Sequence, residues 1–165
     1  MNYIFSAIFL YFFLGFLLYI FQRRIVFNKS GHPGAPKDYN LDNTEEVYIK
    51  TEDNLKLLSW YHKGNNSLPL LVYFHGNSFH IGDRAYRIQR YIEKNWSVLL
   101  VSWRGFGGNK GNPTEKNLYK DAEAVLKWIK NNTEFKFKEL VIYGESLGSG
   151  AAVEIGTKYK FLSIV

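Results

Sequence analysis

The sequence predicts an α/β fold in which a mostly parallel sheet is flanked by helices and preceded by one N-terminal transmembrane helix. Three observations predict it: an uncharged apolar run at the start, apolar runs that alternate with segments of helical periodicity, and glycine-rich turns between them. The 165 residues are 46% hydrophobic and 18% aromatic, too apolar for a disordered chain. We expect an anchor over 1–24, a linker over 25–40 and a folded domain over 41–165.

The N-terminal run from Tyr3 to Phe21 contains no charged residue. At helical rise it is long enough to cross the roughly 30 Å of bilayer hydrocarbon. A cleaved signal peptide is the alternative, but no Lys or Arg precedes the run and no small-residue cleavage site follows it. Basic residues favour the cytoplasmic side of a membrane, so the rest of the chain is expected there. The basic residues that follow the run are Arg23, Arg24, Lys29 and Lys37.

The net charge of +6 and the absence of cysteine limit the function classes. The lysines are scattered and do not interleave with an aromatic platform, so we expect no nucleic-acid partner and attribute the charge to an anionic membrane surface. Without cysteine there are no disulfides or thiolate metal ligands. The glycine-rich loops lack the spacing of a dinucleotide fingerprint or a P-loop, so we predict no cofactor and no metal.

The pattern of the folded domain predicts a hairpin followed by alternating strands and helices. Continuous apolar runs are typical of strands that are buried on both faces, and apolar residues at helical spacing mark the helices. The expected hairpin strands are 45–50 and 55–62. The expected buried strands are 69–76, 97–103 and 139–144, with another beginning at 161. Helices are expected over 78–95 and 146–160, and a further helix between them begins with Asn112 as its cap.

Ser146 stands between Gly144 and Gly148 in a G-x-S-x-G pattern, directly after a predicted strand and before a predicted helix. This context strains the turn and holds the serine hydroxyl clear of the backbone, where it can act as a nucleophile. The two glycines are needed because side chains would collide where the chain reverses so sharply. A helix-capping serine is the simpler interpretation, but it does not explain both glycines.

A second site element lies where an earlier strand ends at His75, Gly76 and Asn77. The backbone N–H of Asn77 and that of Leu147, the residue after the candidate nucleophile, form a natural pair of donors. Two such donors stabilise the oxyanion of an acyl-transfer intermediate, typically by about 3 kcal/mol each. We expect His75 itself to be structural.

Four segments, "YFHGN", "WRGFGG", "LYKDAEAVLKWI" and "YGESLGSGAAVEIG", resemble the α/β-hydrolase family in order and spacing. Together with the anchor, they are most similar to its membrane-anchored abhydrolase-domain members. The resemblance implies a serine hydrolase of esters, thioesters or lipids, with Ser146 as nucleophile and an oxyanion hole at Asn77 and Leu147. The resemblance also implies small-molecule or lipid acyl substrates. Ser102 and Asn109 depart from the family pattern, and we expect them to change only local hydrogen bonding.

The family's triad runs from serine to an acid and then to histidine along the chain. After Ser146 this sequence has no histidine, and its only acid is Glu154, which lies well into the following helix. We therefore expect a C-terminally incomplete hydrolase domain that is inactive alone. His80 is an alternative base, although a solvent-exposed histidine at a helix start is the more ordinary interpretation. The alternative function is a truncated, non-catalytic membrane-bound protein of the same fold.

Overall fold

The computed structural model describes residues 2–29 and 31–165. It begins with helix α1, Asn2–Val26, whose large apolar side chains are exposed and which contacts the domain at its last residue. Its segment Tyr3–Val26 is long and apolar enough to cross a membrane, and none of its most apolar 18-residue stretch is buried by the rest of the protein. The predicted transmembrane helix is therefore present as a helix of suitable length and composition.

A six-stranded sheet forms the centre of the domain. The strands that build it lie in the order β2-β3-β6-β4-β7-β8. The pairs β6–β4, β4–β7 and β7–β8 are parallel, whereas the pairs β2–β3 and β3–β6 are antiparallel. This confirms the predicted mostly parallel sheet with a hairpin at one edge. The bounds are β2 Thr44–Lys50, β3 Lys56–His62, β4 Leu70–Phe74, β6 Ser97–Val101, β7 Leu140–Gly144 and β8 Ser163–Ile164.

Helices cover both faces of this sheet. On one face pack α3, Glu115–Asn132, and α4, Leu147–Gly156; on the other lies α2, Ala85–Ile92. All five residues of β4 and all five of β6 are buried, which explains why these strands are continuous apolar runs. Because β4, β6 and β7 are parallel, the loops after them meet at one edge of the sheet, and that edge carries the candidate site.

The predicted helix over 78–95 is wrong at both ends. Residues Ser78–Phe79 form a short strand, β5, which pairs in parallel with β1, Asn28–Lys29. A 3₁₀ turn, Ile81–Arg84, separates it from α2. Phe79 has a φ of 63° and Asn95 one of 61°, and an α-helix cannot continue through left-handed residues.

The cap of α3 was also assigned to the wrong residue. Thr114, not Asn112, precedes the helix, and its Oγ1 accepts a hydrogen bond from the Asn117 N–H at 3.2 Å. Both residue types cap helices well, so the sequence alone could not separate them. The 3₁₀ turn Pro36–Tyr39 lies within the segment that we predicted as a linker.

Arg104, in the loop after β6, joins three parts of the fold. Its Nε and Nη2 donate to Asp121 Oδ1 of α3 at 2.9 and 2.6 Å. Its Nη1 donates to Asp53 Oδ2, in the turn between β2 and β3, at 2.7 Å. Arg104 is 2% exposed and Asp121 0%. A buried guanidinium must be paired to be tolerated, so this loop is held against both the hairpin and α3.

We expect Asp121→Asn to lower the free energy of unfolding by on the order of 3 kcal/mol, because it leaves the buried Arg104 charge without its main partner. The matched control is Glu123→Gln on the same helix, which removes an exposed pair with Lys158 and should cost under about 1 kcal/mol. Denaturant unfolding followed by tryptophan fluorescence measures both. Equal losses in the two variants would contradict the assigned role of Asp121.

Candidate active site

Ser146 sits at the turn between β7 and α4, at the carboxyl edge of the sheet. Its φ of 48° and ψ of −110° lie outside the usual regions for a residue with a side chain. Such a conformation costs of order 1–3 kcal/mol and persists only where the surroundings fix it. The residue is exposed, and its hydroxyl has no hydrogen-bond partner in the described part of the chain. The turn therefore has the strained, outward geometry expected of a nucleophile.

The two glycines of the motif allow α4 to lie directly against the sheet. A side chain at Gly148 would collide with the carbonyl of Phe74, the last residue of β4. A Cβ at Gly144 would lie 2.6 Å from Ser149 Cα, closer than real Cβ contacts occur. The same Phe74 carbonyl accepts the Glu145 N–H at 2.9 Å. The glycines are thus required by close backbone packing on both sides of Ser146.

The candidate oxyanion donors are on adjacent loops, because β4 and β7 are hydrogen-bonded neighbours. Leu147 is the first residue of α4, where N–H groups have no acceptor within the helix. Asn77 follows β4 after two residues, and its side-chain Nδ2 donates to Val26 O at 2.9 Å. Neither backbone N–H has an acceptor among residues 2–29 and 31–165. Both N–H groups can therefore donate to an anionic oxygen, and their role as an oxyanion hole stays a prediction.

Glu145, inside the G-x-S-x-G motif, is bound by Arg84 and Tyr73. Arg84 Nη2 donates to Glu145 Oε1 at 3.0 Å and Nε to Oε2 at 3.2 Å. Tyr73 Oη donates to Oε2 at 2.8 Å. Burial alone would raise the pKa of Glu145, but the hydrogen bonds from Arg84 and Tyr73 outweigh it and hold the pKa below its ordinary value. Glu145 is therefore ionised at neutral pH.

Arg84 also fixes the oxyanion loop, since its third donor, Nη1, binds Ser78 O at 2.7 Å. One guanidinium, in a side chain only 9% exposed, thus connects the loop that carries Asn77 with the turn that carries Ser146. Sequence reasoning missed this set of Arg84, Glu145 and Tyr73. Arg84 and Glu145 are far apart in the chain, and no spacing pattern joins them.

His75 is structural, as expected. It is completely buried beneath Trp103, whose Nε1 donates to His75 O at 2.8 Å. Burial lowers the pKa of its imidazole to about 4. The ring is neutral at physiological pH and enclosed by the core, so it cannot take a proton from Ser146.

His80 is not the solvent-exposed histidine that we expected, because its side chain is only 19% exposed and lies beside a carboxylate. Its Nδ1 lies 3.0 Å from Asp83 Oδ2, and its Cβ packs beside Gly107. No hydrogen bond or ion pair joins it to Ser146 in the described part of the chain. Glu154 pairs with Lys158 on the surface of α4. The structure therefore gives neither residue a place in a triad with Ser146.

The loop departure Asn109 hydrogen-bonds within its own loop and also to the strand β3. Asn109 Oδ1 accepts the Leu58 N–H at 2.8 Å, while its Nδ2 donates to the carbonyls of Ser102 and Trp103 at 3.2 Å each. Within residues 2–29 and 31–165 no three or more His, Cys, Asp or Glu side chains are grouped to hold a metal ion.

Comparison with known proteins assigns the family. The profile of the hydrolase family described as "Serine aminopeptidase, S33" matches residues 66–162, which include both candidate site loops. The chain belongs to the α/β-hydrolase family. The fold agrees, since the hydrolase superposes on the Pyrococcus furiosus esterase Pf2001 with a TM-score of 0.63 and 28% identity, covering 76% of this chain and 50% of that one.

The curated relatives of this hydrolase include one that is described as a membrane protein. It is 30% identical to protein bem46 of Schizosaccharomyces pombe, covering 88% of this chain and 51% of that protein. It is also 30% identical to the membrane protein YNL320W of Saccharomyces cerevisiae, covering 88% and 53%. The chain thus spans about half the length of these relatives. The resemblance to membrane-anchored abhydrolase-domain proteins is confirmed.

Replacing Gly148 in this hydrolase by alanine should destabilise it by several kcal/mol, because the new methyl would overlap the Phe74 carbonyl and force α4 off the sheet. At Gly150, two residues further along α4, an added Cβ would meet nothing within 4 Å. Gly150→Ala should stabilise by about 0.5–1 kcal/mol. Thermal unfolding by circular dichroism compares the two variants, and a neutral Gly148→Ala would be inconsistent with the close packing.

Glu145→Gln should lower the free energy of unfolding at pH 7 by on the order of 2 kcal/mol, since Arg84 loses its charged partner. The folded pKa of Glu145 lies below its ordinary value of 4.5. Its contribution is therefore present above about pH 4.5 and is lost as the pH falls through the folded pKa. The difference between variant and parent should shrink towards pH 3.

Denaturant unfolding at several pH values measures this difference. The control is Glu154→Gln, which removes an exposed carboxylate paired with Lys158 and should have a small effect at every pH. A difference for Glu145→Gln that stays constant from pH 7 to pH 3 would show that the charge of Glu145 is not what stabilises the pair.

Proposed function

We propose that the full-length protein is a membrane-tethered serine hydrolase that cleaves ester-type bonds through an acyl-enzyme on Ser146. The observation that carries the proposal is the exposed Ser146 hydroxyl on a strained strand-to-helix turn, beside two backbone N–H groups without acceptors in the described residues. Esters, thioesters and lipid acyl groups all present the carbonyl that this arrangement suits. Membership of the α/β-hydrolase family supports the proposal independently.

In the proposed reaction the Ser146 oxygen attacks the carbonyl carbon of the substrate. The carbonyl oxygen becomes an oxyanion that the N–H groups of Asn77 and Leu147 stabilise. Collapse of this intermediate breaks the ester bond and releases the alcohol or thiol, which takes up the proton lost by the serine. Water then attacks the acyl-serine by the same route, so acid is released and the hydroxyl is restored. This chemistry requires no cofactor.

The proton must pass through a base, and we propose that the base and its acid partner come from residues that follow Val165 in the full-length protein. His75 is buried and neutral, and His80, although it has a carboxylate beside its Nδ1, makes no hydrogen bond to Ser146 in the described residues. The chain spans about half of its curated relatives, which leaves room for both groups. Without them only about 10³- to 10⁴-fold catalysis over water remains in known cases.

The organisation that we propose assigns 1–24 to the anchor, 25–40 to the linker and 41–165 to the first part of the hydrolase domain. The domain then lies on the cytoplasmic side, because Arg23 and Arg24 end the apolar helix. The relative YNL320W is described as a membrane protein, which supports a tether of this kind.

We expect a fluorophosphonate probe to label the full-length protein at Ser146, and Ser146→Ala to abolish the labelling. Ser149→Ala is the matched control, because Ser149 is an exposed hydroxyl on the same turn whose Oγ bonds to Ser146 O at 2.6 Å. This variant should keep most of the labelling. In-gel fluorescence and peptide mass spectrometry give the result; labelling that persists in Ser146→Ala would exclude Ser146 as the nucleophile.

A further inference from the structure

The end of the apolar helix is bonded directly to the candidate oxyanion loop. Val26, the last residue of α1, accepts the hydrogen bond from the Asn77 side chain at 2.9 Å. The next residues, Asn28 and Lys29, form the strand β1, which pairs in parallel with Ser78 and Phe79 of β5. The loop that holds one oxyanion donor is therefore fixed to the segment that leaves the membrane.

This contact sets the height of the loop above a bilayer. Arg23 and Arg24 mark the end of the hydrocarbon-crossing part of α1. Val26 lies within one helical turn of them, so at 1.5 Å per residue it is about 3–4.5 Å further along the helix axis. The headgroup layer on each side of a bilayer is roughly 5–8 Å thick. Asn77, bonded to Val26, consequently lies at the level of the lipid headgroups.

Phe79 is the apolar side chain that this loop presents outwards. It is 55% exposed and holds a left-handed φ of 63°, which is unfavourable for a bulky residue. An exposed phenyl ring in a strained conformation gains little from the fold in water. A phenylalanine that reaches the boundary between headgroups and acyl chains, by contrast, buries its ring in an apolar environment.

The same loop is coupled to the candidate nucleophile. Arg84 Nη1 binds Ser78 O in β5, and two further donors of this side chain bind Glu145, the residue before Ser146. A continuous set of hydrogen bonds therefore runs from the juxtamembrane strand through Arg84 to the nucleophile turn. The position of the membrane surface and the position of Ser146 are fixed relative to each other.

We propose that β1 and β5 form a membrane-docking surface in which Phe79 enters the interfacial layer of the bilayer, so that acyl substrates reach Ser146 from the membrane. The partner of this surface is the lipid bilayer, because the surface is continuous with the apolar helix. The proposal that this surface docks on the bilayer depends on the contact between Val26 and Asn77 and on the exposed Phe79. The proposal that substrates arrive from the membrane rests on the proposed function.

The chain contains no cysteine, so single cysteines can report the depth of chosen residues. The full-length protein in lipid nanodiscs would carry Phe79→Cys, labelled with an environment-sensitive fluorophore. Asn131→Cys is the control, because Asn131 is exposed near the end of α3, and α3 leads to the amino ends of the parallel strands, the opposite edge of the sheet. The unsubstituted protein gives the background.

We expect the label at position 79 to emit at shorter wavelength and to be quenched severalfold by lipids that carry spin labels. The label at position 131 should show neither effect. Equal emission and equal quenching at the two positions would overturn the docking surface. Neither readout depends on catalysis, so this comparison remains valid even if the protein hydrolyses no ester.

A second variant, Phe79→Asn, tests the route of the substrate, since asparagine tolerates a left-handed backbone. Two substrates are compared: a long-chain ester in vesicles and a water-soluble short-chain ester. The KM for the vesicle ester should rise on the order of tenfold, with the short-chain reaction unchanged. Equal effects on both substrates would overturn delivery from the membrane. Absence of any hydrolysis in the parent would instead contradict the proposed function.

Discussion

The carbonyl of Phe74, at the end of the central strand β4, is the point on which the candidate site depends. It accepts the N–H of Glu145 and lies so close to Gly148 that no side chain fits between them. Through these two contacts β4 fixes both sides of the turn that holds Ser146. The chain then continues from Phe74 into His75, Gly76 and Asn77. The candidate nucleophile and the candidate oxyanion donor are therefore positioned from neighbouring peptide groups of one buried strand.

The strain at Ser146 is maintained by packing further away. Its backbone conformation costs of order 1–3 kcal/mol, and the turn would relax if α4 could move. Three buried residues of α4, Ala151, Ala152 and Ile155, hold that helix in the core beneath the sheet. On the other side, Arg84 and Tyr73 hold Glu145. Together they hold the turn that presents the serine hydroxyl to solvent.

Much of the fold could be predicted because its central strands β4 and β6 are buried on both faces and therefore apolar throughout. The site motif was also visible, since glycines flank a serine at a strand-to-helix junction. The helix over 78–95 was mispredicted because its apolar spacing is real in α2, while the left-handed Phe79 that prevents a longer helix leaves no trace in a periodicity. The cap at Thr114 could not be separated from Asn112 because both residue types cap helices well.

Long-range polar contacts were beyond the reach of sequence patterns. Arg84 and Glu145, or Arg104 and its partners Asp53 and Asp121, look like ordinary surface charges when only the local sequence is considered. Their burial shows otherwise: Arg104 is 2% exposed and Arg84 8%. These charged residues are paired only because the folded loops that carry them converge on one edge of the sheet. Three-dimensional contacts, not spacing, identify them.

Through the strand β1, the helix α1 also supports the candidate oxyanion loop, a role that attachment to a membrane alone does not require. The loop from Gly76 to Phe79 lies beyond the end of β4, and it has few residues in the core. Arg84 holds it at Ser78 O from one side, and β1 and Val26 hold it from the other. An anchor joined by a free linker would leave the second side open. Because Asn77 lies between these two supports, the tether contributes to the same backbone geometry that an oxyanion hole requires.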